Sequence, residues 1–186
     1  MSQPDFETVK NNWDTFEKLC SRLSDDNINT LLTTLGERLI TTPATTHDNR
    51  PGCFGGGLIQ TSLEITSKMR KIASEFYPDI QVASILKVGL LHEIGKVGTL
   101  EANLFLEQDS DWHREKLGQF YKYNEDISKS ATPERTLFLL QHFGVQLSHD
   151  EYYAIRLSQG SHLEENRFYA NFEPDLATCL QVAKRL

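Results

Sequence analysis

LLHEIGKVG, at residues 90–98, ends a strongly apolar segment of this 186-residue sequence. The residues before it predict a helix over about 80–94, and this helix is so apolar that most of it must be buried. It would carry His92 and Glu93 into the protein interior, where a glycine turn and Lys96 follow. The apolar positions behind this prediction are Val82, Ile85, Leu86, Gly89, Leu90 and Leu91.

The rest of the chain is also predicted to be helical. Apolar residues recur at three- and four-residue steps, and no convincing alternating strand pattern is present. We therefore expect an all-α protein, a compact helical bundle without a significant sheet. It should form one domain over 1–186, in which a helical hairpin at 1–40 packs on a core at 41–186. Further helices are expected at 5–23, 28–39, 58–76, 133–143, 148–158 (Ser148 as N-cap, Glu151 as its capping-box partner) and 174–186, with a loop at 41–57 and irregular structure with short helical pieces at 95–131.

Composition excludes several classes of protein. Nineteen Lys+Arg against 26 Asp+Glu give a net charge of −7, and without a basic stretch the chain lacks the charge that duplex nucleic acid requires. Neither a membrane span of about 18 apolar residues nor a signal peptide is evident, so we expect a cytoplasmic protein without a membrane partner. Cys20, Cys53 and Cys179 form no CxxC pair, which favours a reducing compartment and a role for each as a small buried side chain.

Two polar segments carry side chains that suit a phosphorylated ligand. In 109–126, aromatic faces could stack on a base while lysines meet phosphates, although an amphipathic surface segment would show the same pattern. In 159–169, hydrogen-bonding side chains follow a buried helix, and we expect one of them to face a pocket. The candidates are Trp112, His113, Lys116 and Tyr121 in the first segment, and His162 and Asn166 in the second.

The glycine run at 55–57 precedes a helix and is a candidate anion site. Free N–H groups and the positive end of the helix dipole would lie at Gly56 and Gly57, near Thr61, and Arg50 on the same loop could add charge. The alternative is a turn that needs glycine for a positive φ.

Three segments together resemble the HD-domain metal-dependent phosphohydrolases. LLHEIGKVG is similar to the His-Asp core motif of that superfamily, GGLIQTSLEI (56–65) to its GGLxEHSLxV helix, and PDLATCLQVAKRL (174–186) to its PLAxLLHxADxx helix. The resemblance covers roughly 40–186 and is greatest to small HD proteins of large tailed phages. It implies a helical HD-type fold, a site for one or two divalent cations that activate water against phosphoesters, and a host-cytoplasmic location if the chain is phage-encoded.

The departures from the family pattern fall on the metal ligands. The matching positions hold Thr61 in place of His, Glu93 in place of Asp and Lys184 in place of Asp, so that only His92 is retained. A hydroxyl is a poor ligand, and an ammonium group has no lone pair with which to coordinate a cation. If the helices pack as in the family, Lys184 would stand where the cation sat and neutralise Glu93.

We therefore expect a degenerate HD-like protein that binds a phosphorylated small molecule, a nucleotide or nucleotide signal, without hydrolysing it and without a metal or other cofactor. A phage role in sequestration or regulation would follow from the resemblance. Two alternatives stay open: a phosphohydrolase that uses His92, Glu93 and Lys96 with a metal on His92 and Glu93, aided by His47, Asp48 or His113, and a structural or protein-interaction module. The oligomeric state is also open, since the helix at 5–23 could pack in a partner.

Overall fold

The computed structural model describes residues 4–186 and is mostly helical. The first two helices form a hairpin and begin at aspartate caps, because Asp5 accepts from the Thr8 N–H and Asp25 from the Asn27 N–H. The helices of the N-terminal half are α1 (Phe6–Ser21), α2 (Asp26–Thr41), α3 (Gly57–Phe76) and α4 (Val82–Leu91).

The second half contains shorter elements. A 3₁₀ turn at Ile94–Val97 follows α4, and another at Glu164–Tyr169 precedes the last helix. Ser148 and Glu151 form the predicted capping box at the start of α7. The elements are β1 (Phe105–Glu107), α5 (Asp111–Leu117), β2 (Tyr121–Tyr123), α6 (Thr132–His142), α7 (His149–Arg156) and α8 (Asp175–Arg185).

Helix α4 lies at the centre of the structure. It packs most extensively on α3, where Gly89 allows a close approach: a Cβ at Gly89 would lie 2.5 Å from the Thr66 hydroxyl. Leu90 and Leu91 are fully buried in a hydrophobic cluster to which every helix from α1 to α4, as well as α6, α7 and α8, contributes. The predicted burial is therefore confirmed for five of the six apolar positions, whereas Val82 in the first turn is 59% exposed. The cluster fixes the position of the residues that follow the helix.

The all-α class and most helices agree with the sequence analysis, and the differences are local. Helix α4 ends at Leu91 rather than near 94, because the chain tightens into the 3₁₀ turn. The region 95–131 contains a two-stranded antiparallel ribbon, with Leu106 opposite Lys122. Each strand has three residues, too few to produce a readable alternation of apolar and polar side chains. Cys20 and Cys179 are buried, whereas Cys53 is only partly buried.

No helix within residues 4–186 combines the length and the apolar character needed to cross a bilayer.

The loop between α2 and α3 is closed by backbone contacts around its glycines. Gly56 has φ of 92°, a conformation that favours glycine, and caps α3. Gly57 packs directly against Gly52, so that a Cβ on Gly57 would lie 2.0 Å from the Gly52 carbonyl oxygen. The N–H groups of Gly57 and Leu58 donate to the carbonyls of Phe54 and Thr42, and are therefore already used within the protein.

We predict that Gly57→Ala destabilises the protein by about 1–3 kcal/mol, because the added methyl group must displace backbone. Gly55→Ala is the matched control, since its Cβ would lie 3.5 Å from the nearest heavy atom, in ordinary contact. Urea unfolding measures both variants. Equal stability of the two would contradict the close packing of Gly57.

Candidate functional site

The turn after α4 is held in place by α6. The N–H of Gly95 donates to the Thr136 hydroxyl (3.0 Å), and this hydroxyl donates to the carbonyl of His92 (3.2 Å). Gly95 is needed for the approach, because a Cβ there would lie 2.6 Å from the Thr136 nitrogen. These contacts hold the backbone of His92–Lys96 in place independently of its side chains.

Arg38 of α2 binds the backbone that follows the turn at Ile94–Val97. Its guanidinium donates to the carbonyls of Val97 (2.8 Å), Thr99 (2.9 Å) and Leu100 (3.0 Å). Sequence reasoning overlooked both Arg38 and Thr136. A single Arg or Thr on an amphipathic helix carries no signal that it will meet a distant turn.

The Glu93 carboxylate is shared by two lysines. Its Oε2 accepts from Lys96 Nζ at 2.6 Å, and its Oε1 accepts from Lys184 Nζ at 2.8 Å. The side chains are mostly buried, with 13% of Glu93, 17% of Lys96 and 21% of Lys184 exposed. The contact expected between Glu93 and Lys184, 91 residues apart in the sequence, is therefore present. Lys96 adds a second ammonium group on the other oxygen.

The charges of the cluster formed by Glu93, Lys96 and Lys184 do not cancel. Burial alone would raise the pKa of Glu93, but the two ammonium groups outweigh it and hold that pKa well below its usual range. Glu93 is thus ionised at neutral pH. One negative and two positive charges leave a net charge of +1 in a mostly buried site.

His92 is fully buried and neutral beside this cluster. Its Nδ1 lies 3.0 Å from the carbonyl oxygen of Gly89; since a carbonyl only accepts, Nδ1 carries the proton. Nε2 is then a bare acceptor, and it is buried without a hydrogen-bond partner among the described residues. Burial lowers the pKa of His92 to about 4, and Lys184 and Lys96 act in the same direction.

A groove of about 210 Å³ opens beside Lys184. His162 folds over Gly160 at its wall, where a Cβ on Gly160 would lie 2.4 Å from the imidazole ring, and Gly160 also has a positive φ of 115°. Among the described residues, those that line the groove include two cationic side chains, Lys184 and Arg185, and no carboxylate. The lining residues are Ser158, Gln159, Gly160, His162, Gln181, Lys184 and Arg185.

The donor set of this site does not fit the divalent cation that the HD resemblance implies. Each oxygen of Glu93 accepts from an ammonium group, so two positive charges beside the carboxylate oppose the binding of a further cation, and Lys184 has no lone pair to offer. The Thr61 hydroxyl donates to the carbonyls of Gly57 (2.9 Å) and Leu58 (3.0 Å) and is a poor metal ligand. Nε2 of His92 is the strong ligand atom of this site that has no partner among the described residues, and one nitrogen does not hold a metal. Across residues 4–186, no three His, Cys, Asp or Glu side chains converge as a metal-binding group.

The structure brings together only part of the predicted ligand site. Glu93, Lys96 and Lys184 form the cluster, His92 lies beside it, and His162 joins Lys184 in the groove. Asn166 is buried and structural: it accepts from Arg156 (2.7 Å) and donates to the Gly160 carbonyl (2.8 Å) beneath the groove wall.

Of the other predicted residues, Gly57 and Thr61 lie at the start of α3, directly after Gly56, and the remainder lie in the region formed by the 42–56 loop, α5 and the ribbon. The loop is tied to this region where Asp48 N–H donates to the Gly118 carbonyl and Phe120 N–H to the Thr46 carbonyl. His47 contacts Thr46 and His113 contacts Ser110, each at 2.8 Å. Arg50, Trp112 and Lys116 are exposed and Tyr121 is half-buried; within 4–186, none of them is hydrogen-bonded to Glu93 or Lys184.

Comparison with protein-family models, with curated proteins and with solved structures gives no match to this chain.

We predict that His92 makes the protein less stable as the pH falls from 6.5 towards 4. The unfolded chain takes up a proton on His92 near pH 6.5, whereas the folded chain does so only near pH 4, so acid favours unfolding. The full shift corresponds to about 3 kcal/mol. His92→Asn keeps a donor for the Gly89 carbonyl but does not titrate, and should therefore lose less stability over this range.

Urea unfolding at a series of pH values measures this difference. His142→Asn, at an exposed position, is the control and should follow the wild type. A wild-type profile identical to that of His92→Asn would contradict a buried neutral His92.

Proposed function

We propose that this chain is a degenerate HD-like protein that binds the phosphoryl group of a small phosphorylated molecule, a nucleotide or nucleotide signal, at the groove beside Lys184 and does not hydrolyse it. The single observation that carries the proposal is the excess positive charge of the Glu93, Lys96 and Lys184 cluster. The HD relationship itself is part of the proposal and rests on the three similar sequence segments.

Unbalanced buried charge favours an anionic partner. A partly dry site strengthens electrostatic interactions, so a second anion beside the two ammonium groups would be stabilised more than it would be in water. Arg185 adds another positive charge to the lining of the groove. This local charge is notable in a protein of net charge −7, which repels anions at long range. Anion binding here would thus depend on short-range contacts.

Lys184 still has donors to offer. An ammonium group has three N–H donors, and one of them is used on Glu93 Oε1. The remaining two could meet phosphate oxygens from the groove without breaking the ion pair. The groove, about 210 Å³, is smaller than the roughly 300–1,000 Å³ of pockets that enclose a whole small ligand. It suits a phosphoryl group, with the rest of the ligand on the surface.

The same residues are poorly suited to hydrolysis. A lysine supplies positive charge but cannot bring a bound water to a pKa of about 7, as a catalytic cation does. Neutral His92, with a pKa of about 4, is a weak base at neutral pH, and its Nδ1 is engaged by the backbone. The arrangement therefore favours holding a phosphoryl group over cleaving it.

We predict that inorganic pyrophosphate and nucleoside diphosphates raise the melting temperature in EDTA at constant ionic strength. A ligand at 100 times its Kd should give a rise of roughly 5–10 °C for a chain of this size. Lys184→Met should weaken binding roughly tenfold or more, because it removes charge-assisted hydrogen bonds. Lys71→Met, at an exposed position of α3, is the charge-matched control and should bind like the wild type.

Three results would overturn the proposal. The first is no thermal shift in the wild type, as a structural module would give. The second is an equal shift in Lys184→Met. The third is release of phosphate from nucleotides in Mg²⁺, Mn²⁺ or Zn²⁺ that disappears in His92→Ala, as a hydrolase would give.

A further inference from the structure

Two nearly fully exposed phenylalanines lie on the segment between the groove and α8. Phe168 is 88% exposed and Phe172 is 86% exposed. Apolar rings of this size are usually buried, and two within five residues form a local patch for which the core gives no reason. Behind them, Tyr169 packs on Tyr153 of α7, with ring centroids 5.2 Å apart. The patch is therefore anchored to the fold by its third aromatic residue.

Hydrogen bonds hold the segment that carries the phenylalanines beside the groove wall. The Phe172 N–H donates to the carbonyl of Tyr169 (2.9 Å), the last residue of the 3₁₀ turn at Glu164–Tyr169. Gly160 and His162, which precede this turn, both line the groove. Asn166 holds the same wall by donating to the Gly160 carbonyl. The segment that carries the phenylalanines is therefore continuous with the groove.

The two ends of α8 carry opposite charges, which would orient an anionic ligand bound along the helix. Its first turn carries Asp175, preceded by Glu173, and its last turn carries Lys184 and Arg185. The nine residue-to-residue steps from Asp175 to Lys184 span about 14 Å at the rise of an α-helix. A phosphate would be repelled at the acidic end and bound at the basic end. A neutral ring could lie at the acidic end.

Building on the proposed function, we propose that Phe172, with Phe168 on the same segment, stacks on the base of a nucleotide whose phosphates are bound at Lys184. The ligand class is then a nucleoside phosphate, because inorganic phosphate and ribose phosphate have no aromatic ring to stack. Stacking accepts any base, since every base has a π-face. The acidic end of α8 would keep the phosphates from binding in the reverse orientation.

Calorimetric titration with pyrophosphate and with a panel of nucleoside diphosphates separates this inference from the proposed function. Phe172→Ala should weaken nucleoside diphosphate binding roughly 5- to 100-fold and leave pyrophosphate binding unchanged. Phe172→Leu, which keeps an apolar side chain without a π-face, should also weaken it, whereas Phe172→Trp should restore it. Phe76→Ala, which removes an exposed ring at the end of α3, is the matched control.

The outcomes are distinct. Pyrophosphate and nucleoside diphosphates that bind the wild type equally well would overturn base stacking and leave the phosphate site standing. Binding of neither would overturn both proposals. A dimer that dissociates in Phe172→Ala, with nucleotide affinity unchanged, would show that the patch contacts a second copy and would overturn the inference.

Discussion

The ion pairs of Glu93 with Lys96 and Lys184 are the constraint on which the account of this protein depends. They join the turn after α4 to the last helix, two elements separated by about half of the chain. Under the proposed HD relationship, they would also account for the three departures from the family pattern together. With an ammonium group at the position that the resemblance assigns to a metal ligand, Thr61 would need no lone pair for a metal, and Glu93 would have a different cation to bind.

The fold was largely predictable because its strongest signals are local. Apolar periodicity located the helices, and Ser148 with Glu151 marked the start of α7 correctly. The sequence did not predict the ribbon, because its pairing joins Phe105 to Tyr123 across 18 residues and three-residue strands show no periodicity. The end of α4 was set by tertiary contacts of Gly95 with Thr136, which no local pattern contains.

The site was predictable only where the sequence carried a motif. Glu93 and Lys184 were paired by resemblance to a family whose helices meet there, and the structure has that contact. Arg185 was overlooked because a basic residue in the last turn of a helix is commonly explained by the helix dipole. Trp112 and Lys116 were included for their chemistry alone, and they lie on exposed positions of α5. Chemical type without a known position is weak information, since many surface segments combine aromatic and basic residues.

The most direct test of the shared carboxylate is the unfolding free energy of Glu93→Gln and Lys184→Met in urea at neutral pH. Glu93→Gln leaves two buried ammonium groups without an anion and should cost about 3–5 kcal/mol. Lys184→Met removes the excess charge and leaves the pair of Glu93 with Lys96, so that only the hydrogen bond to Oε1 is lost and the cost should be smaller, about 1–2 kcal/mol. Equal costs, or a larger cost for Lys184→Met, would contradict a cluster in which one carboxylate serves two lysines.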